Sequence, residues 1–288
     1  MINFLKYRFM SFAVSMLFIA AGAAGYFHYN GFRYSVDFTG GTQVLVKLNK
    51  SFGSEKIKEA LKNGGWDDAV IREFDKNEVA IRVKEFLNDS EGLSLKIKDQ
   101  LEKNLPTEKI EILEANAVGP GVGTALRWNS MLAVLLGLLL MLIYIGIRFW
   151  SISYGMGAVI AIFHDALAIL ALFAITQREI SPNVICAILA TLGYSINDTI
   201  VIFARVRENF VKMRGQSPEK IVNTSINQTL RRTLLTSLST GLVVGALFIF
   251  GGETLRNLSL ALLVGIVVGT YSSVYIASPI MLLMRKRV

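Results

Sequence analysis

Six long apolar runs, almost free of charge, dominate the 288-residue chain and leave it few ways to fold. A helix needs about 20 apolar residues, roughly 17–25, to cross the hydrocarbon core of a bilayer. Residues 9–27, 131–147, 154–176, 184–204, 234–250 and 258–284 meet that length. The last is long and carries Pro279 near its end, which predicts a tilt or kink. Only 18% of the residues are charged, against about a quarter in soluble domains. The bilayer is the expected solvent.

Charge distribution sets the topology. Residues 28–129 hold 15 Lys/Arg and 16 Asp/Glu, whereas the rest of the chain holds 15 Lys/Arg against 6 Asp/Glu. The excess therefore lies beside the apolar runs, as in cytoplasmic flanks, and does not form a nucleic-acid patch. With both termini inside, 13 of those 15 basic residues are cytoplasmic and only Arg178 and Arg256 are outside. The expected order is a cytoplasmic N-terminus (1–8), an external domain (28–130), a cytoplasmic loop (205–233) and a cytoplasmic C-terminus (285–288). The first run exceeds the 7–15 apolar residues of a signal core. Its Ala/Gly stretch at 20–25 resembles a cleavage site, but an uncleaved anchor is expected. The single cysteine, Cys186, excludes a disulfide framework and reads as a small packing residue.

Between residues 33 and 118 the pattern shortens. Residues 42–48 read as a strand, and Ser54–Lys62 as a helix with a Ser cap. Residues 69–74 and 78–83 read as a hairpin turning at Asp75-Lys76-Asn77, residues 90–101 as a helix and 109–113 as a strand. The order β-α-β-β-α-β is that of a ferredoxin-like unit. The expected fold class is thus a membrane all-α six-helix bundle plus a small α+β, ferredoxin-like extracytoplasmic domain. Nothing in the domain resembles a catalytic site, and a docking or substrate-contacting module is expected.

Ionisable residues at membrane depth are costly and mark function or paired contacts. Asp198 lies in the fourth run, and Thr191, Ser195 and Asp198 share one helical face. Arg232 opens the fifth run, within reach of Asp198 or of the headgroups. Asp165 lies mid-span in the third run beside His164, which alone reads as a packing partner. Interhelical pairing is the alternative for all of them. Small residues at spacing four, Gly265/Gly269/Ser273/Ala277 and Ser237/Gly241/Gly245, predict close helix contact within the chain or with a partner. There is no nucleophile–base pair, metal cluster or P-loop: Gly119-Pro120-Gly121-Val122-Gly123 lacks the Lys-Ser/Thr and reads as a hinge entering the second span.

An ordered set of motifs resembles the SecD/SecF family, within the RND superfamily, in its six-helix SecF members. The residues are Val36-Asp37-Phe38-Thr39-Gly40-Gly41-Thr42, the 118–123 segment, His164-Asp165, and Gly193-Tyr194-Ser195-Ile196-Asn197-Asp198-Thr199. Arg205-Val206-Arg207-Glu208-Asn209, Asn227-Gln228-Thr229-Leu230, Arg232-Thr233 and Phe250-Gly251-Gly252 complete it. The resemblance implies a Sec protein-export subunit in the inner membrane. Its partners would be SecD, the SecYEG channel, SecA, YajC, membrane lipid and unfolded preprotein, with no cofactor and protons as the coupling ion. By motif position Asp198 and Arg232 stand as proton-pathway residues; depth adds Asp165, then His164, Asn197 and Ser195. Protonation of Asp198 would release Arg232 and let the helices shift. Asp37, Gly40, Gly41, Gly193, Arg205, Arg207, Glu208 and Asn209 are motif residues. Ala204 departs from the family's usual acidic residue and puts in doubt an ion pair with Arg205 or Arg207. The competing reading is a proton-coupled RND-type exporter of small molecules. Such pumps carry two six-helix halves and larger external loops, whereas this chain holds one half.

Overall fold

The computed structural model describes residues 2–48, 54–67, 69–73, 77–85, 90–105 and 110–285. In chain order these form α1 (Arg8–His28), the short α2 (Val36–Thr39), β1 (Gly41–Lys47), α3 (Ser54–Lys62), β2 (Val70–Glu73), β3 (Glu78–Val83), α4 (Ser90–Asn104) and β4 (Glu111–Val118). Then follow α5 (Pro120–Phe149), α6 (Ile152–Thr176), α7 (Pro182–Lys212), α8 (Pro218–Phe250), α9 (Gly252–Ser272), a π-helical turn (Ser273–Ala277) and α10 (Ser278–Met284). A 3-10 turn, Phe4–Tyr7, precedes α1. The chain divides into two units, residues 34–130 and the remainder.

In the smaller unit the sheet order is β2-β3-β1-β4, antiparallel throughout, which is the expected ferredoxin-like topology. Alternation along β1 and β3 sends Val44, Val46, Ile81 and Val83 to one face. There they bury against Ile57 and Leu61 of α3 and Leu93, Ile97 and Leu101 of α4, which recur at helical spacing. The expected turn residues 75–76, and Phe74 and Lys109 at the expected strand ends, lie outside the described residues. So does the Ser54 side chain expected to cap α3.

The segment 36–42 has its own structure, which alternation and periodicity did not reveal. Its backbone forms α2 and then enters β1 through Gly41, whose φ is +110° and whose added Cβ would fall 2.6 Å from the Val83 carbonyl oxygen. Arg82 of β3 holds the segment by donating to the Tyr34 carbonyl (2.8 Å) and to Thr39 Oγ1. The expected hinge at 119–123 is instead the first turn of α5, with Gly123 N–H donating to Gly119 O (3.0 Å). A Cβ on Gly123 would lie 3.0 Å from Gly40 N, so that glycine admits α5 against the motif.

Among the described residues six helices are long and apolar enough to span a membrane, beginning at Phe4, Gly121, Ile152, Pro182, Pro218 and Thr254. The Ala/Gly stretch of α1 is a packing seam: an added Cβ on Gly22 would lie 2.3 Å from Ala171 Cβ of α6. Residues 205–233, expected as a loop, are mostly helix. α7 continues to Lys212, and α8 begins at Pro218 after Ser217, whose Oγ accepts from Lys220 N (3.4 Å). Proline fits the first helical position because its missing N–H would have no partner there. Apolar run length registers only the membrane-embedded part of a helix, so these charged extensions escaped it.

The Pro279 irregularity takes the form of a π-helical turn. Proline removes a backbone donor and crowds the carbonyl four residues earlier, and widening the preceding turn relieves that clash. Ser278 Oγ donates to Ser273 O (2.9 Å) across the widened turn. Cys186, read as a packing residue, is exposed on α7 and is not packed within this chain.

Candidate functional site: a polar seam between α6, α7, α8 and α9

Two patterns at spacing four meet along α7 and α9. An added Cβ on Gly265 would lie 2.3 Å from Thr191 Cγ2, and one on Gly269 would lie 2.8 Å from Ser195 Cβ. One turn further, Thr199 and Ser273 share a hydroxyl–hydroxyl hydrogen bond of 2.9 Å. The small-residue ladder of α9 therefore packs on the polar stripe of α7, which keeps the stripe out of lipid. The matching ladder of α8 divides. Ser237 bonds Thr270 of α9 (2.6 Å), while an added Cβ on Gly241 or Gly245 would meet nothing within 4 Å among the described residues.

Asp165 sits at the centre of this seam and is fully buried. Its Oδ2 accepts from Ser195 Oγ of α7 (2.5 Å) and Ser272 Oγ of α9 (2.9 Å). Its Oδ1 lies 3.1 Å from His164 Nδ1. A carboxylate at this depth is retained because hydroxyls from two neighbouring helices replace its lost hydration. His164 is thus a polar partner of Asp165, beyond the packing role expected for it alone. Its ring lies 6.2 Å from Tyr271, whose hydroxyl donates to Ser11 O of α1 (2.7 Å).

Asp198 is organised differently. It is buried, three residues beyond Ser195, and its Oδ2 has no hydrogen-bond partner among the described residues. The Tyr194 hydroxyl, one turn earlier on α7, and Thr233 Oγ1 on α8 are likewise buried and unpartnered. Thr233 faces Asp198 without reaching hydrogen-bond geometry, and Asp198 lies in the electrostatic field of Arg232. Arg232 is itself exposed, and among the described residues it makes no salt bridge to Asp198. The direct pair whose release was expected on protonation is therefore not formed here. Asn197 is exposed on α7 and among the described residues joins neither cluster. Buried polar groups in native proteins are nearly always satisfied by protein or ordered water. Among the described residues, Asp198 Oδ2, the Tyr194 hydroxyl and Thr233 Oγ1 are the exceptions, on the neighbouring helices α7 and α8.

The motif beyond the membrane run is structural in this conformation. Arg205 donates to Glu208 (2.6 Å), as does Lys212 (2.5 Å), so Arg205 finds its carboxylate one turn on instead of at position 204. Arg207 is exposed. Buried Asn209 donates to Ser225 Oγ (2.8 Å) and Gln228 Oε1 (2.9 Å), tying α7 to α8. Gly193 leaves room for Met141 of α5, whose Cε would lie 4.0 Å from an added Cβ. Ser272, Tyr194 and Thr233 were absent from the expected site. Tyr194 and Thr233 lie inside quoted motifs, and Ser272 adjoins the α9 ladder, so position was their only signal.

A multi-pass membrane bundle with carboxylates buried between helices, bearing one ferredoxin-like domain, is the class these features define. Residues 96–287 match the profile described as protein export membrane protein SecD/SecF, C-terminal, and residues 30–51 match the SecD/SecF GG motif. The chain is similar to the protein translocase subunit SecF of Thermodesulfovibrio yellowstonii, 36% identical over 99% of this chain and 95% of that one. It is 39% identical to that of Vibrio alginolyticus, over 98% and 89%. The protein translocase subunit SecDF of Thermus thermophilus is 40% identical over 94% of this chain and 37% of its own length. A crystal structure of SecDF from that genus, described as a translocon-associated membrane protein, superposes with a TM-score of 0.88 at 36% identity, over 99% of this chain and 39% of that one. The chain belongs to the SecD/SecF family.

Proposed function

We propose that the chain is a proton-driven subunit of the Sec export machinery, acting with a SecD-type partner to move unfolded preprotein outward across the inner membrane. The observation that carries this reading is Asp198, a buried carboxylate on α7 with an oxygen that no group among the described residues satisfies. A group so held responds strongly to gaining or losing a proton, because its charged form depends on solvent that the helices must admit. A change at Asp198 alters how α7 and α8 pack, and the helices carry the external domain with them. Asp165, with Ser195, Ser272 and His164, is the second polar station on this route.

The SecD-type partner is supported by the Thermus relative, whose name joins both subunits and of which this chain spans 37%. Within this chain the apolar windows of α5 and α8 are each only 6% buried, against 56% for α6, which leaves apolar faces for a partner or for lipid. SecYEG, SecA and YajC follow as partners from the family alone. The positive-inside bias supports cytoplasmic termini and an external domain at 28–130.

The test is preprotein export into inverted membrane vesicles carrying the full complex, with the proton gradient present or collapsed. Wild-type export is stimulated by the gradient. Asp198→Asn should remove that stimulation and leave the ATP-driven component. Equal stimulation in both would overturn the reading.

A further inference from the structure

Asn223 and Asn227 lie one turn apart on α8, and both reach the first residues of the chain, more than 200 positions away. Ile2 N–H donates to Asn227 Oδ1 (2.9 Å) and Phe4 N–H donates to Asn223 Oδ1 (2.8 Å). In return, the Nδ2 groups of Asn223 and Asn227 donate to the Ile2 carbonyl at 2.9 and 2.8 Å. Two side-chain amides thus grip one peptide segment on its donors and its acceptor, as a neighbouring strand would. Phe4 and Leu5 are buried beside them, and the Phe4 ring meets Tyr275 of the π-helical turn edge-on at 5.9 Å. Tyr275 continues to Tyr271 at 5.3 Å, and Tyr271 reaches His164 beside Asp165.

The grip acts on the helix that presents Thr233 to Asp198. Asn227 precedes Thr233 by six residues, about 9 Å along a helix at 1.5 Å per residue. Beyond Thr233, α8 is exposed at Leu234, Leu235, Leu238, Leu242 and Val243 and is tied to α9 through Ser237 and Thr270, so the contacts of its first half are the ones that hold the helix on the side of residues 2–5. Asn209 holds that half to α7, and the Ile2–Leu5 segment holds it to the α1 side.

We propose that Asn223 and Asn227 are positioning residues: by clamping the Ile2–Phe4 backbone they fix the register of α8, and so the placing of Thr233 beside Asp198. The proposal rests on the reading of Asp198 as the proton-responsive group. It assigns a role to the Asn227-Gln228 motif: Asn227 binds the N-terminal strap, while Gln228 binds Asn209.

The experiment uses the full complex in native membranes and two readouts. The first is the rate of Asp198 modification by dicyclohexylcarbodiimide at one fixed pH, scored by mass spectrometry; it reads the surroundings of Asp198 without requiring export. The second is gradient-stimulated export. Asn223→Ala/Asn227→Ala should change the modification rate at least severalfold and lower gradient-stimulated export about tenfold, the scale expected when a pre-organised group is displaced. Deleting residues 2–5 should give the same change, and combining the two should add nothing, because they remove one interaction. Asn227→Gln, which keeps the amide donor and acceptor, should retain most of the wild-type rate. An unchanged modification rate in the double variant overturns the proposal whatever export does, and fully additive effects overturn it too. Normal gradient-stimulated export by Asp198→Asn, alongside an altered modification rate in the double variant, would instead overturn the reading of Asp198 and leave the clamp standing.

Discussion

Gly265 of α9 lies so close to Thr191 of α7 that a Cβ on the glycine would stand 2.3 Å from Thr191 Cγ2 and 2.6 Å from Thr191 Cβ. No rotation of a β-branched side chain relieves a clash with its own Cβ, so the helices must separate for any larger residue to fit. Gly265→Ala should therefore destabilise the bundle by about 1–3 kcal/mol, the usual scale of overpacking. Gly241→Ala, whose added Cβ meets nothing within 4 Å among the described residues, serves as the control. Thermal unfolding in mild detergent should show a lowered midpoint for the first and none for the second.

Asp165 depends on hydroxyls from two helices. Ser195→Ala and Ser272→Ala each remove a hydrogen bond to the carboxylate, and each should cost about 1.5–3 kcal/mol if the group remains ionised. The two losses should not add, because both act on one oxygen. A double-mutant cycle on thermal stability measures the coupling; simple additivity would contradict a shared role.

At the turn between α7 and α8, Asn209→Ala abandons Ser225 and Gln228 together. The helix ends should then open, with the turn at 213–217 cleaved markedly faster in limited proteolysis from the side on which that turn is exposed. Arg207→Ala, on the exposed side of the same helix, should leave cleavage unchanged.

In the external domain, Gly41→Ala forces a side chain into φ +110° and against the Val83 carbonyl. Backbone strain of this kind costs about 1–3 kcal/mol before the clash is counted. Amide hydrogen exchange in β1 and β3 should quicken, while exchange in α7 should stay as it is.

Much of this architecture was legible because the bilayer admits so few solutions. Run length picked out six segments that fall within the six long apolar helices, and charge balance set residues 28–129 apart from the rest. Alternation and helical spacing gave the domain its element order, and the structure differs there mainly at strand ends. Where the reading stopped short, the cause was a contact between distant elements. The stripe Thr191/Ser195 and the ladder Gly265/Gly269 were each visible, but their meeting depends on how α7 and α9 dock. Ser272, Tyr194 and Thr233 carry no signal alone, since hydroxyls are common at membrane helix contacts. Arg232 looked like the partner of Asp198 because the side chain is long enough. Length allows a salt bridge without requiring one, and the guanidinium stays at the exposed surface. The expected hinge at 119–123 failed for a related reason: glycine permits a bend, and here it admits the backbone of Gly40 instead.

In the proposed function, Asp198 couples proton movement to the helix bundle. The direct measurement is proton flux into liposomes carrying the purified complex, driven by an imposed pH gradient, in the presence of an unfolded polypeptide. Flux is expected through the wild type and background leak alone through Asp198→Asn, with the variant still folded and assembled. Undiminished flux through Asp198→Asn would contradict it.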